Sequence, residues 1–409
     1  MSGPAPSGPV PGAPPAPIVH IEPLGRLGNR MLQFLAAWRL ASLVPGARLS
    51  GVALPEWGLV HPALPRGPEA SVRVDQRDPA TGFAINLALL AEALNAGVLA
   101  RIDLAHYAQH MNNFPPREVA AALFPDTAVP RERCGRDTLL ISIRGDEIFA
   151  APHADYTLVP IGFYRELVAQ TGLRPVFLGQ LDPNPYTERL RRAFPHARFI
   201  TSRDPMADFA ILRHATNIVP SVSTFAWIAA WIGRAERVFL PLTGFLNPAQ
   251  CPEVDLLPLT DPRYRFYLFP INYAVPVEHV LPTHRAMAGT WRLLRPEMLA
   301  TLRLARPRFR PDPYALRAAF EEAFYLDHYP DVAAAVAGGS YASGRDHYLQ
   351  EGLAEQRAPF RLDRIWYART YPLAAVEVGQ GDFLDFHHHY LAVGAARGYR
   401  PLPPDTSSP

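Results

Sequence analysis

Short apolar runs alternate with helix-periodic stretches from Ile18 to about residue 245. Ile18–Pro23 reads as a strand. In Asn29–Val44, Met31, Phe34, Leu35 and Trp38 fall at i, i+3, i+4 and i+7, which is one apolar face of a helix. Ala84–Leu99 is a second helical stretch. Thr138–Ile143 is a continuous apolar run of the kind a parallel strand shows when both of its faces are covered. The pattern then predicts a helix over Phe163–Thr171, a strand over Pro175–Gly179, a helix over Tyr186–Phe194 and a strand over Arg198–Thr201. A helix over Asp204–His214, a strand over Asn217–Pro220, a helix over Phe225–Ile232 and a strand over Arg237–Pro241 complete the series. Strand and helix taking turns at this spacing argue for an α/β fold on parallel sheet. A boundary near Pro130–Asp137 gives two α/β halves.

After about Arg295 the pattern changes. An Arg/Pro-rich stretch, RLARPRFRPDPY, reads as linker, and an internal repeat follows. Tyr325, Tyr329–Pro330, His347–Tyr348–Leu349, Gly352, Ala354 and Pro359 recur 42 residues later as Tyr367, Tyr371–Pro372, His389–Tyr390–Leu391, Gly394, Ala396 and Pro401. Each unit reads as two short helices, the second closed by its glycine as a helix C-cap. The paired His and Tyr are expected to pack the repeat. Only the last residue of His387–His389 is at a repeated position, so no metal site is expected there. The expected organisation is a Pro/Gly/Ala tail over 1–17, α/β domains over 18–135 and 136–295, a linker over 296–318, two helical repeats over 319–401 and a short tail over 402–409.

Composition narrows the chemistry. The tail lacks the apolar core and basic start of a signal peptide, and no later stretch offers about eighteen uninterrupted apolar residues. A net charge of +2 gives no reason to expect nucleic acid or an anionic membrane surface as partner. The chain has no lysine, so all forty of its Lys-or-Arg cations are arginines, which excludes a Walker P-loop and a lysine Schiff base. Arginine remains able to grip phosphate in bidentate fashion. Cys134 and Cys251 lie far apart without metal-ligand spacing, which points to a reducing, cytoplasmic setting.

Three stretches are placed for chemistry. Leu24–Met31 (LGRLGNRM) lies between a strand and an amphipathic helix, where glycines let the backbone approach a ligand and helix-start N–H groups attract anions. Its spacing is not the GxGxxG of a dinucleotide site, which disfavours a dinucleotide-dependent oxidoreductase. Ser142–Asp146 (SIRGD) ends the apolar strand, and in open α/β sheets ligands sit beyond the carboxyl ends of strands. An arginine there can clamp a pyrophosphate, or simply pair with its neighbouring aspartate in a surface turn. Pro220–Trp227 (PSVSTFAW) runs from strand through a hydroxyl-rich turn into a helix, where serine and threonine either cap the helix or offer hydroxyls and N–H groups to a phosphate. Trp227 and Trp231, one turn apart, are expected in the core.

Together these stretches resemble the alpha-1,2-fucosyltransferases of bacteria and animals. GRLGNRMLQFLAAWRLA is similar to that family's GGLGNQMFQYAFARALA opening, SIRGD to its H-x-R-R-G-D segment, and PSVSTFAWIAAWI to its N-S-T-F-S-W-W-A-A-W-L stretch, in the family's order. The resemblance implies a GT-B pair of Rossmann-type domains, a GDP-sugar donor, a saccharide acceptor, inversion at the anomeric carbon, and no metal or other cofactor. By the same resemblance Arg144 holds the donor pyrophosphate, and Gly145 and Asp146 shape its loop. Ser221, Ser223, Thr224 and Phe225 line the donor site, Asp208 contacts the nucleoside, and Gly28 and Asn29 form a loop at the interdomain cleft. Asp146 and Glu147 are general-base candidates by position. The repeats are similar to short modules appended to bacterial glycosyltransferases, which implies surface polysaccharide synthesis and docking of a protein or polymer through residues 319–401. The chain departs from the family pattern at four points: Ser142 replaces a histidine, one arginine of the Arg-Arg pair is missing, Arg30 stands for glutamine and Val222 for asparagine. The eroded SIRGD segment motivates a second expectation, a non-catalytic carbohydrate- or protein-binding scaffold on the same fold.

Overall fold

The computed structural model describes residues 16–75, 82–127, 129–130, 132–149, 153–304, 316, 318–353, 355 and 357–404; of Asp146, Glu147 and residues 301–304 it describes the backbone alone. The Pro/Gly/Ala tract up to residue 15, the end of the chain from 405 and most of the Arg/Pro-rich stretch lie outside the described residues. Contacts divide the described chain into two compact units, one of residues up to 75 with 83–125, the other of residue 82 with the residues from 126 onward.

The first unit holds strands β1 (Ile18–Ile21), β2 (Arg48–Ser50), β3 (Val52–Leu54), β4 (Leu59–His61), β5 (Ser71–Val74) and β6 (Arg101–Leu104). Its helices are α1 (Leu27–Ser42), α2 (Leu87–Asn95) and α3 (Arg117–Leu123). The order β2-β1-β6-β5 makes a four-stranded sheet with every pairing parallel, while β3 and β4 form an antiparallel hairpin. Strand period places Val19 and Ile21 beside Ile102 and Leu104, all buried, and α1 packs on β1 with Met31, Leu32, Phe34 and Leu35 turned inward. The alternate positions are polar. Asp103, fully buried, accepts from Arg101 Nε at 2.6 Å and from Arg66 Nε at 2.9 Å. Two guanidiniums make a carboxylate tolerable at that depth, since a buried charge without partners costs several kcal/mol or more (about that order).

The second unit begins its sheet with β7 (Thr138–Ile143), every residue of which is buried, as its unbroken apolar run requires. There follow a short α4 (Asp146–Phe149), α5 (Ile161–Thr171), β8 (Arg174–Gly179), α6 (Pro185–Ala193), β9 (Arg198–Thr201), α7 (Pro205–His214), β10 (Asn217–Val219), α8 (Thr224–Trp231) and β11 (Arg237–Leu242). Then come β12 (Tyr264–Leu268), α9 (Val277–Ala286), β13 (Arg292–Leu294) and α10 (Pro296–Leu304). The sheet order is β13-β12-β11-β10-β7-β8-β9, parallel throughout except for the edge strand β13. From β7 the chain winds outward through β8 to β9, then returns to the other side of β7 and winds outward again. A doubly wound sheet of this kind reverses its strand order at one place, between β7 and β10.

The 42-residue spacing is kept in three dimensions. Helices α11 (Glu322–His328), α12 (Pro330–Ala337) and α13 (Gly344–His347) match α14 (Arg364–Thr370), α15 (Pro372–Gly379) and α16 (Phe386–His389), residue for residue. Each third helix continues into a π turn, Tyr348–Gly352 and Tyr390–Gly394. The expectation of two helices with a glycine C-cap is therefore corrected. The chain stays right-handed helical past each glycine, at Leu353 (φ −66°) and Ala395 (φ −58°). Glycine is required instead because a Cβ would stand 2.2 Å from Tyr325 Oη at Gly352 and 2.3 Å from Tyr367 Oη at Gly394. Those tyrosines are fully buried and meet the repeat histidines, Tyr325 with His347 Nδ1 at 3.1 Å and Tyr367 with His389 Nδ1 at 3.0 Å. The three adjacent histidines take three different partners: His387 Nε2 the Phe360 carbonyl, His388 Nδ1 the Leu384 N–H, and His389 Nε2 the Glu377 carboxylate.

Candidate functional site

The carboxyl ends of β7 and β10 lie side by side, with Ile141 in register with Val219. Each strand is followed by one of the stretches singled out in the sequence: Ser142–Gly145 completes and leaves β7, and Ser221–Thr224 leads from β10 into α8. The two meet directly. Ser142 Oγ and Ser221 Oγ are 3.2 Å apart and both residues are buried. Ser223 bends the chain by donating its N–H to the Ser221 carbonyl at 2.7 Å, and its hydroxyl accepts from the Phe225 N–H at 3.3 Å as the N-cap of α8. Of the two options raised for these hydroxyls, capping is realised by Ser223, while Ser221 joins the two strand ends.

α8 is held with its start at this spot by the burial of every one of its residues but Phe225. Trp227 is fully buried, stacks on Trp231 with centroids 5.3 Å apart, and donates its indole N–H to the Leu256 carbonyl at 2.8 Å. An apolar helix buried to this extent has no freedom to turn its N-terminus elsewhere, and that end carries partial positive charge. Arg144 leaves the end of β7 half-buried, its Cζ 4.7 Å from the centre of the Tyr156 ring. Tyr156 is itself packed against Phe245 at 5.2 Å and His153 at 5.5 Å. Gly145 donates its N–H to Gln180 Oε1 at 2.9 Å, so the end of β8 braces the turn after Arg144. Gln180 reaches it because Gly179, with φ +137°, lets the two strand ends converge; a Cβ there would stand 1.9 Å from the Ile143 carbonyl oxygen. Asp146 begins α4, and its side chain and that of Glu147 lie outside what the structure describes.

Asp208 sits in the first turn of α7, where Asp204 caps the helix by accepting the Met206 N–H at 2.9 Å. Burial raises the Asp208 pKa, the Ser202 hydroxyl lowers it and the Asp204 charge raises it further. Its neighbour Phe209 packs on Phe225 with centroids 5.4 Å apart, which ties this turn to the start of α8. Gly28 and Asn29 belong to the first unit and, contrary to the loop expected, lie in the first turn of α1. There Gly25, at φ +66°, turns the chain after β1, and Gln33 holds the turn by donating to the Glu22 carbonyl at 3.0 Å and accepting from the Leu24 N–H at 2.9 Å. α1 opens without a side-chain cap or an acidic residue in its first turn. Asn29 Oδ1 accepts from Gln109 Nε2 at 3.2 Å, so the segments after β1 and β6 also meet where that sheet reverses its order.

Sequence reasoning missed Tyr156, Gln180 and Gln109. Gln180 had a readable signal, following directly on the glycine that ends a predicted strand. Tyr156 and Gln109 had none, because each owes its place to a loop with no periodicity.

The ends of β7 and β10, at the reversal point of an open parallel sheet, thus carry Arg144, two paired serines and a helix start, and such sheets bind ligands at that place. Its chemistry suits an anion with several oxygens. No family model and no curated protein matches the chain. Among solved structures it is similar to an Arabidopsis thaliana FUT1 variant in complex with GDP, at 12% identity and a TM-score of 0.36, over 56% of this chain and 71% of that one. It is also similar to the iron-containing dodecameric glycosyltransferase TibC of enterotoxigenic E. coli, at 16% identity and a TM-score of 0.28, over 55% of this chain and 58% of that one. A second TibC structure, a heptosyltransferase in complex with ADP-D-beta-D-heptose, gives 15% identity and a TM-score of 0.25 over 55% and 57% of the two chains. The fold assignment rests on the strand order given above rather than on these likenesses. Among the described residues no helix is long and apolar enough to cross a membrane.

Proposed function

We propose that this chain is a glycosyltransferase that binds a nucleoside-diphosphate sugar beyond β7 and β10 of the second unit and passes the sugar to a saccharide acceptor. The observation that supports this best is the direct meeting of Ser142 and Ser221 at the strand-order reversal, where the chain runs on to Arg144 on one side and to the start of α8 on the other. Transfer by single displacement leaves a diphosphate carrying growing negative charge, and fixed donors aimed at that charge are the main catalytic device available to such a site. Arg144 supplies the formal charge and α8 the backbone dipole, so the reading needs no metal to neutralise the leaving group. GDP-fucose is the leading donor and inversion the leading stereochemistry, both on the motif resemblance alone. The acceptor base on this reading is Asp146 or Glu147, next in the chain after Gly145.

A second reading has one observation in its favour. Ser142 stands where the resembled family has a histidine, and its hydroxyl is engaged with Ser221 in a buried pair, so that position offers no titratable group. This suits a scaffold that keeps a sugar-nucleotide fold without turnover. A screen of nucleotide sugars for hydrolysis and for protection against thermal unfolding separates the readings. Protection with turnover supports the transferase, and protection without turnover supports the scaffold. Neither effect from any nucleoside diphosphate or its sugar refutes the transferase and favours the scaffold.

A further inference from the structure

We infer that the second C-terminal repeat is a positioning element of the diphosphate site, holding the segment 153–157 on which Tyr156 seats Arg144. This rests on the reading of Arg144 given above. The repeat docks on the carboxyl-end rim of the seven-stranded sheet, the same rim that carries Arg144. Immediately after β12, the Ile271 N–H donates to the Ala375 carbonyl of α15 at 3.0 Å. Around that bond, Ile271 and Tyr273 are buried with Tyr367, Ala374, Ala375 and Val378, and Ala154 packs against the same cluster.

The docking is built into the sequence at Gly379. A Cβ there would stand 2.9 Å from Pro270 Cα and 3.0 Å from the Ile271 nitrogen. The equivalent residue of the first repeat, 42 positions earlier, is Ala337, which is exposed. The repeats are otherwise matched helix for helix, so the glycine serves the contact with the sheet unit and not the internal packing of the repeat.

From this interface a short chain of contacts reaches the guanidinium. The Ala154 carbonyl accepts from the Ala274 N–H at 2.6 Å. Asp155 accepts from Gln250 Nε2 at 2.9 Å, and Arg364, the first residue of α14, lies 3.6 Å from its other carboxylate oxygen. Arg364 also stacks over Tyr273 at 5.5 Å. Gln250 in turn exchanges hydrogen bonds with the backbone of Asn272, so segments 153–157 and 270–274 are laced together under the repeat. The next residue, Tyr156, carries Arg144 on its ring. If the repeat leaves the rim, the seat under the arginine loosens. A cation is held over an aromatic face by about 0.5–2 kcal/mol, so loss of the seat weakens binding that needs the arginine in place by up to about three- to thirty-fold.

The test uses the full chain with Gly379→Leu, its matched control Ala337→Leu, and the milder Arg364→Ala and Tyr156→Leu. Amide hydrogen exchange and GDP titration are read on each. The inference predicts that Gly379→Leu speeds exchange over 153–157 as well as 269–275 and weakens GDP binding by about three- to thirty-fold, that Tyr156→Leu weakens binding similarly, and that Ala337→Leu changes neither. Arg364→Ala shows the same effects in smaller degree. Faster exchange over 269–275 in Gly379→Leu with unchanged exchange over 153–157, or unchanged GDP binding, overturns the inference. Should Gly379→Leu fail to fold, Arg364→Ala and Tyr156→Leu decide it, and wild-type binding by Tyr156→Leu overturns it. Absence of GDP binding in the wild type refutes the nucleotide reading instead, while the exchange data still decide whether the repeat holds the segment.

Discussion

Lowering the pH from 7.5 to 5 should destabilise the second unit through one histidine. His284, on α9, meets the Leu158 carbonyl through Nε2 at 3.1 Å, so that nitrogen carries the proton. Its Nδ1 is buried and finds no partner among the described residues. Protonating it would place a charge and an unsatisfied N–H in the interior, and burial lowers the pKa from 6.5 to about 4. A folded-state pKa below the unfolded value means that the folded state resists the proton. The stabilisation is therefore complete above pH 6.5 and is lost as the pH falls toward 4. From those two values, about 2 kcal/mol has gone by pH 5 and about 3 kcal/mol by pH 4. The assay is urea unfolding of the wild type and His284→Leu across pH 4.5–7.5, comparing how far each loses stability, so that titrations common to both cancel. The variant should be weaker at pH 7.5, because the Leu158 carbonyl loses its donor, yet lose about 2 kcal/mol less on acidification. Parallel pH profiles for the two proteins would show that the imidazole is not held neutral by burial.

Replacing Asp103 by Ala leaves Arg101 buried without its counter-ion, and the first unit should lose about 3–5 kcal/mol, read from exchange of the β1 and β6 amides; a loss under about 1 kcal/mol would mean that the arginines relax to solvent. Gly394→Ala sets a methyl 2.3 Å from Tyr367 Oη, whose ring is fully buried, and should cost about 1–3 kcal/mol. Gly338→Ala, whose nearest neighbour lies 3.3 Å away, should stay within about 1 kcal/mol of wild type; equal melting temperatures for the two variants would contradict the packing given for the repeat glycines.

The second unit was legible from sequence and the first largely was not, for a physical reason. β7 and β9 occupy the spans read from the apolar runs, Thr138–Ile143 and Arg198–Thr201, because neighbouring turns bound each of them sharply. In the first unit β2, β3 and β4 have three residues each, and β5 reads Ser-Val-Arg-Val, too short for a period to register. β6 looks polar in sequence, since Arg101 and Asp103 are charged, and only their mutual neutralisation makes it a central strand. The helix expected over Ala84–Leu99 starts later, at Leu87, because Asn86 caps it by accepting the Leu89 N–H. Edge strand β13 runs antiparallel, which pattern alone does not reveal. In the candidate site, the serines and Arg144 were legible because glycine and hydroxyls mark strand ends. Tyr156 was not, since ring stacking beneath a cation follows no local spacing.

The central claim is that Arg144 and the start of α8 hold a diphosphate. Calorimetric titration of the full chain with GDP, ADP and UDP, repeated on Arg144→Ala, tests it most directly. The wild type should bind a nucleoside diphosphate saturably and the variant about ten- to a hundredfold more weakly, with a cooperative melt in the absence of nucleotide that is lowered by no more than the lost ring contact, about 0.5–2 kcal/mol. Equal affinity in the two proteins, or no binding of any of the three nucleotides to the wild type, would contradict it.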